Sequence, residues 1–432
     1  MEEIFQLLWS HRMLGLPLTL EGGGNVRVID PGVLNRDSGP DFFNAKVRVG
    51  GSLWAGNVEI HLRASDWHRH NHDSDPAYDN VILHVVSVSD DVVRRADGSV
   101  IPQIAVSLPP HFYQTFGYLT STTPEIRCAS RFGAVSPLQL TDWLETLAVE
   151  RLQQKAARLE ESLRSHNGDW NATCFVALAR GLGFGLNSIP FEMLAKSISL
   201  NHLRRHSDNP LQMEAIFFGQ AGMLDPLLHA DDVRYQLMCR EYQFLARKYS
   251  MHPIPRVAWK FSKTRPQNFP YRRIALLAKA MAETPDLLHR ILDAGPDLDR
   301  LRPLFRWKVE PYWTGRLCFG GNGQVEARPP ELSDSSINIL IINVVAPLIY
   351  AYALLHSDQD LKESAFGLLT ALPPERNALV RDWQTLGIKP RDASASQALI
   401  QLRKEYCDRH ECLRCRFGHH ILRRESQLQP AQ

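Results

Sequence analysis

The chain has 432 residues, 44% hydrophobic and 22% charged, values that suit two or three globular domains and exclude a single small module or a wholly disordered chain. Lys and Arg number 49 against 47 Asp and Glu, a net charge of +2, so there is no global pull toward polyanions or anionic membrane and any basic surface must be local. Seven cysteines are an odd number, with Cys128, Cys174, Cys239 and Cys318 scattered and the rest clustered, which suits a reducing cytoplasm with one metal site better than a disulfide framework.

The opening MEEIFQLLWSHRML begins on two acids and has no basic segment, so residues 2–14 read as an amphipathic helix and not a signal peptide. Val- and Ile-rich runs bounded by turn residues follow: NVRVID (25–30), FFNAKVRV (42–49), LWAGNVEIHL (53–62), NVILHVVSV (80–88) and IPQIAVSL (101–108). These predict five strands, with a short helix near 65–78. After Ser136 the period becomes helical. Leu144, Ala148, Leu152, Ala156, Leu159 and Leu163 form one apolar stripe on a long helix, whose Arg151, Lys155 and Arg158 read as its wet side. Further helices are expected near 170–182, 190–199, 211–223, 231–249, 271–283, 285–293, 337–356, 360–370 and 394–406. The run from Ile337 to Leu355 has the length of a bilayer span, but Asn338, Asn343 and Pro347 interrupt it and no basic flank adjoins it. It reads as a buried helix, and no membrane partner is expected. The expected division is 1–125, 126–393 and 394–432, the last holding a helix, a Cys/His knot and a polar tail.

The most informative stretch is GPDFFNAKVRVGGSLWAGNVEIHL. Asp41 starts one strand, a Gly-Gly turn reverses the chain, and the returning strand carries Glu59 and His61. Side chains alternate along a strand, so Glu59 and His61 share a face. Metal-assisted phosphodiester cleavage needs hard oxygen ligands and a nearby base or cation, which Asp41, Glu59 and His61 can supply from rigid strands. Register decides whether Asp41 joins them. A two-residue loop pairs Val49 with Ser52 and fits the apolar pattern, but it sends Asp41 to the opposite face. Convergence therefore requires a three-residue loop or a β-bulge near Asp41.

The order of these elements resembles the PD-(D/E)XK nuclease superfamily, whose core runs α-β-β-β-α-β. Pro40-Asp41 would be the PD element and Glu59-Ile60-His61 the E-x-K element, with His61 in place of the lysine. The resemblance implies an α+β protein with a nuclease-like N-terminal α/β domain, here followed by a large all-helical domain and a C-terminal Cys/His metal-binding segment. It implies Mg²⁺ or Mn²⁺ on Asp41 and Glu59, an outer carboxylate from Glu2, and His61 orienting or deprotonating the attacking water. The implied partner is nucleic acid, DNA or RNA.

Two other constellations carry chemistry. SDWHRHNHDSDPAYDNVILHVV gathers His70, His72 and His84, which with Glu59 as base would make a histidine-ligated metallohydrolase. Ser65-Asp66 reads as a helix cap that would put His68 and His72 on one helical face. YCDRHECLRCRFGHHIL holds Cys407, Cys412 and Cys415 with His419 and His420 close by, a tetrahedral pattern for Zn²⁺. Its fourth ligand would be His419, His420, His410 or a distant cysteine such as Cys128; in the last case an iron–sulfur cluster becomes an alternative, as some PD-(D/E)XK nucleases carry. Lys260, Lys263, Arg265, Arg272 and Arg273 alternate with Phe261, Phe269 and Tyr271, a pattern suited to nucleic-acid binding. The competing reading is a non-catalytic helical scaffold or nucleic-acid-binding protein with a structural zinc. Finally, GPDFFNA, GNVEIH, SDW, YDNVILHVV, IPFEMLA, RPQNFPYRR and the terminal cysteines together resemble a family of uncharacterised bacterial proteins, a domain of unknown function. That likeness implies an architecture and no reaction.

Overall fold

A computed structural model describes residues 2–12, 14, 17–35, 38–108, 117, 126–321 and 330–427. The molecule is mixed α+β, and the chain forms two compact units, divided at Thr141 and Leu402. The first unit takes up the chain again at Arg403, so the cysteine-bearing segment folds with the N-terminal residues and not as a separate tail.

In the first unit, helix α1 (Glu2–Ser10) is followed by strands β1 (Leu18–Thr19), β2 (Asn25–Asp30), β3 (Val33–Leu34), β4 (Phe42–Val49) and β5 (Ser52–Arg63). Helix α2 (Asp66–Arg69), two 3₁₀ turns, and strands β6 (Val81–Val88) and β7 (Gln103–Ala105) complete it before residue 108. The sheet runs β1-β2-β4-β5-β6-β7, with β3 beside β4. Neighbours from β1 to β5 are antiparallel, whereas β5, β6 and β7 are parallel. A parallel pair needs a crossover, and α2 with its turns supplies it.

Hairpin β4–β5 closes with a two-residue turn, Val49 pairing with Ser52. Gly50 there takes a positive φ of 57°, which glycine adopts without a Cβ clash. The pairing slips by one residue between Phe42 and Ala45. Asn44 sits in this bulge at φ 56°, and its N–H donates to the Asn57 side chain at 3.3 Å. Phe42 consequently faces Val58, and Asp41 comes opposite Glu59. The bulge, not a longer loop, turns the aspartate onto the Glu59 face.

From Gly56 to His61, strand β5 is buried on both faces. One face places Val58 and Ile60 against Ile4, Phe5, Leu8 and Trp9 of α1, together with Val47, Leu83, Val85 and Ile104. The other face carries Asn57, Glu59 and His61, all buried, on the side roofed by Trp67 and Tyr78, which belong to a smaller apolar cluster with Val81, Val93 and Ile101. Polar groups thus sit in a dry layer, where each must find a partner or a counter-charge.

The second unit is helical. Its core draws on the helices Trp170–Leu182, Pro210–Gln220, Pro270–Glu283 and Ala346–His356 among others. The stretch Asp334–His356 is long and apolar enough to cross a membrane, but 72% of its apolar window is buried in the protein. A π-helical turn at Ile341–Val345 interrupts it, and Asn343 there accepts from Lys155 Nζ at 2.8 Å. Lys155 also donates to Gln397 at 2.6 Å, as does Arg151. These two cations are therefore not a wet face: they satisfy polar groups of neighbouring helices.

Candidate functional site

Asp41, Glu59 and the histidines occupy the polar layer over β5. Glu59 Oε2 accepts the Asp41 N–H at 2.9 Å, and Asp41 Oδ2 accepts the Ile60 N–H at 3.0 Å. Gln6 of α1 donates to Asp41 Oδ1 at 2.8 Å. Burial is the main cause that raises Asp41 to about 6; the Ile60 N–H opposes it and the Glu2 carboxylate adds to it. Burial raises Glu59 further, to about 9, with Asp41 and Glu2 adding like charge. Glu2 thus lies in the field of both carboxylates.

The helix after β5 is shorter than expected. It ends at Arg69, and Ser65 makes no side-chain cap bond; its backbone N–H and hydroxyl both donate to Asp90. Asn71 then takes φ 62°, the left-handed turn that asparagine tolerates. His70 and His72 flank that reversal, so a turn and not a helical face brings them to the site. The ligand nitrogens of His61, His70 and His72 lie within 4.8 Å of one another. Glu59 Oε1 is 3.4 Å from His61 Nε2 and 3.5 Å from His72 Nε2. His68 is half-exposed and bound to Asp73 at 2.8 Å, away from this group.

A hydrogen-bond chain fixes the protons on His61. Gln103 Nε2 donates to the Glu21 carboxylate at 3.1 Å and to Ser89 Oγ at 2.7 Å. Its Oε1 must then accept from His84 Nδ1, 3.0 Å away. A neutral His84 so tied has a lone pair on Nε2, which accepts from His61 Nδ1 at 2.9 Å. His61 is left with a lone pair on Nε2, aimed at Glu59. Burial, with His84, His72 and His70 adding to it, lowers His61 to about 2. Burial likewise lowers His84 to about 4, against the Gln103 bond, so both rings are neutral. His84 is therefore a positioning group behind His61 and not one of three convergent ligands.

His61 Nε2 stands 3.4 Å from Glu59 Oε1 and 3.3 Å from His70 Nδ1, so without a metal a proton on Glu59 or on His70 can meet its lone pair. His72 Nε2 is also buried with no hydrogen-bond partner, and Glu59 Oε1 is its nearest acid. A single cation among these nitrogens and Glu59 Oε1 would satisfy His61, His70 and His72 together, His72 Nε2 included. Three imidazoles and one carboxylate are a donor set for Zn²⁺ or Mn²⁺, while Mg²⁺ prefers oxygen.

The sequence pattern matches the model of a family described as "Protein of unknown function (DUF2851)" over residues 2–378. The chain belongs to the DUF2851 family. The matched span includes the whole histidine–carboxylate site and stops short of Cys407. No curated protein and no solved structure matches the chain.

Sequence reading missed Gln6 and Gln103, whose roles depend on contacts across the sheet; of the two devices it allowed near Asp41, the β-bulge is the one present, at Asn44. The basic stretch of the second unit divides. Lys260, Lys263 and Arg265 are exposed, but Arg272 and Arg273 are 0% and 1% exposed and are corrected from the nucleic-acid surface to the core. Arg272 Nη1 donates to the Arg316 carbonyl at 3.1 Å, and Arg273 donates to Asn268 and lies over the Phe184 ring. At the C-terminus, the His419 ring packs edge-on against His11, 3.9 Å between centroids, and His420 contacts Gln139.

Proposed function

We propose that the N-terminal unit is a divalent-metal-dependent hydrolase of phosphodiesters, a nuclease-like protein whose metal is held mainly by imidazole. The observation that carries this reading is the convergence of His61, His70 and His72 on Glu59 Oε1. His61 Nε2, His72 Nε2, a His70 nitrogen and Glu59 would hold the ion; the bound metal supplies Lewis acidity and a water of lowered pKa. The Glu21–Gln103–His84 chain keeps His61 in the tautomer that presents Nε2. Asp41, shifted to about 6, is poised to take and return a proton near neutral pH. The preference for a phosphodiester rests on element order and on the Asp41–Glu59 pairing. Both support the nuclease-like reading over a general histidine-ligated hydrolase.

The test is turnover of single- and double-stranded DNA and RNA, and of an activated aryl phosphodiester, with Mn²⁺, Zn²⁺ or Mg²⁺ added to metal-stripped protein. Wild type should turn over with Mn²⁺ or Zn²⁺, and a His61→Ala/His72→Ala double variant should lose roughly a hundredfold or more. Equal turnover by that variant, or a wild type that neither binds Mn²⁺ or Zn²⁺ at this site nor cleaves any substrate, refutes the proposal.

A further inference from the structure

The C-terminal cysteines have an unexpected neighbour. Cys128 begins the 3₁₀ segment Ala129–Ala134, and that segment packs on the last helix, Arg416–Gln427, where the Phe132 and Phe417 rings meet at 5.1 Å. Arg127 donates to His410 at 2.7 Å across 283 positions of sequence. Cys128 and Cys412 both lie against the apolar core between α1 and the sheet. The Cys412–Cys415 knuckle is closed by the Cys415 N–H donating to the Cys412 carbonyl at 3.2 Å. The final helix approaches so tightly that a Cβ on Gly418 would lie 2.0 Å from that carbonyl oxygen.

We propose that Cys128, Cys407, Cys412 and Cys415 together hold one soft-metal centre, either a single Zn²⁺ or an iron–sulfur cluster, that clips the C-terminal segment onto the first unit. The other three cysteines are elsewhere: Cys174 and Cys239 in the helical core and Cys318 beside it. Cys407, Cys412 and Cys415 are close in sequence, and the packing of the Cys128 segment on the last helix brings a fourth thiol to them, an arrangement that suits thiolate coordination better than packing alone. Electrostatics agree. After burial, the charges of Cys415 and Cys412 push the Cys128 thiol up to about 12, and those of Cys415, Cys128 and Cys412 push Cys407 up as well. Each thiol releases its proton as its sulfur takes the metal, and the cation removes the repulsion. The nearby imidazoles have other neighbours: His410 meets Arg127, His419 meets His11 and His420 meets Gln139. Cys128 lies within the span matched by the family model, and Cys407, Cys412 and Cys415 lie beyond it.

The full chain, purified without air, is assayed for zinc, iron and acid-labile sulfide. Iron with sulfide and broad visible absorption gives the cluster; zinc alone gives the mononuclear site. Either result requires Cys128→Ser to lose the sulfur-bound metal as completely as Cys412→Ser, while Cys318→Ser and His419→Ala keep it. Cobalt replacement of zinc gives a reading on unmutated protein. Thiolate-to-cobalt charge transfer counts sulfur ligands and is not produced by the histidine site. Four sulfurs support the proposal. Three sulfurs, retention in Cys128→Ser with loss in His419→Ala, or no sulfur-bound metal after exposure to zinc, cobalt, or iron with sulfide, each overturn it.

Discussion

Replacing Glu59 by Gln should stabilise the metal-stripped protein and abolish its stabilisation by metal. Glu59 is a buried group raised from 4.5 to about 9. Between those values the folded protein holds a proton that the unfolded chain has released, so stability falls as pH rises through that window. From pH 4.5 to 7 this amounts to roughly 3 kcal/mol, at ~1.4 kcal/mol per unit. Solvent entry and coupling to Asp41 will reduce it, and about 1–3 kcal/mol is the working range. Glutamine keeps the oxygen that accepts the Asp41 N–H and has no charge to bury. In chelator at pH 8, Glu59→Gln should therefore unfold about 2–8 °C above wild type, with the difference vanishing near pH 4. With Mn²⁺ or Zn²⁺ present, the order should reverse, because only the carboxylate binds the ion and ligand binding stabilises by mass action. Differential scanning calorimetry at several pH values, with and without metal, reads both effects. A glutamine variant less stable than wild type in chelator at pH 8, or one that keeps the full metal-induced shift, would refute the reasoning.

Other outcomes follow from the same contacts. His84→Ala should leave the three ligand imidazoles in place but free the His61 tautomer, weakening metal binding about 10–100-fold; isothermal titration would expose an unchanged affinity. Gly56→Ala places a Cβ 2.4 Å from Ile82 Cγ2 and 2.8 Å from the Asn80 carbonyl, so it should cost about 1–3 kcal/mol in denaturant unfolding. Arg273→Ala should lower thermal stability without changing the salt dependence of any nucleic-acid binding, since its guanidinium is buried; a reduced slope of log affinity on log salt would place it on the surface after all. Asn44→Ala, at a left-handed φ, should destabilise the bulge by about 1 kcal/mol and weaken metal binding by misplacing Asp41.

Much of the architecture was written in local pattern. Strands at 25–30 and 42–49 and the helix at 170–182 fall where alternation and the helical stripe put them, because a strand or helix that must bury one face carries that period in its own residues. The expected strand at 101–108 shrank to Gln103–Ala105 and the helix at 65–78 to Asp66–Arg69 and two turns; both ends were decided by contacts that sequence period does not encode.

The site was partly legible for the same reason. That Glu59 and His61 share a face is a consequence of chain geometry. Which way Asp41 points depended on a single extra residue in the pairing of β4 with β5, and only tertiary structure shows where a strand absorbs a bulge. That His70 and His72 are candidate ligands was visible, but His84 exchanged places with His61 because its ring is committed to Gln103, a partner on a strand paired in parallel. Residue types alone fixed which groups were available to bind a cation. Packing decided which of them meet, because lone pairs converge only where long-range strand pairing and a left-handed turn bring distant segments together, here the buried His61 and the exposed His70.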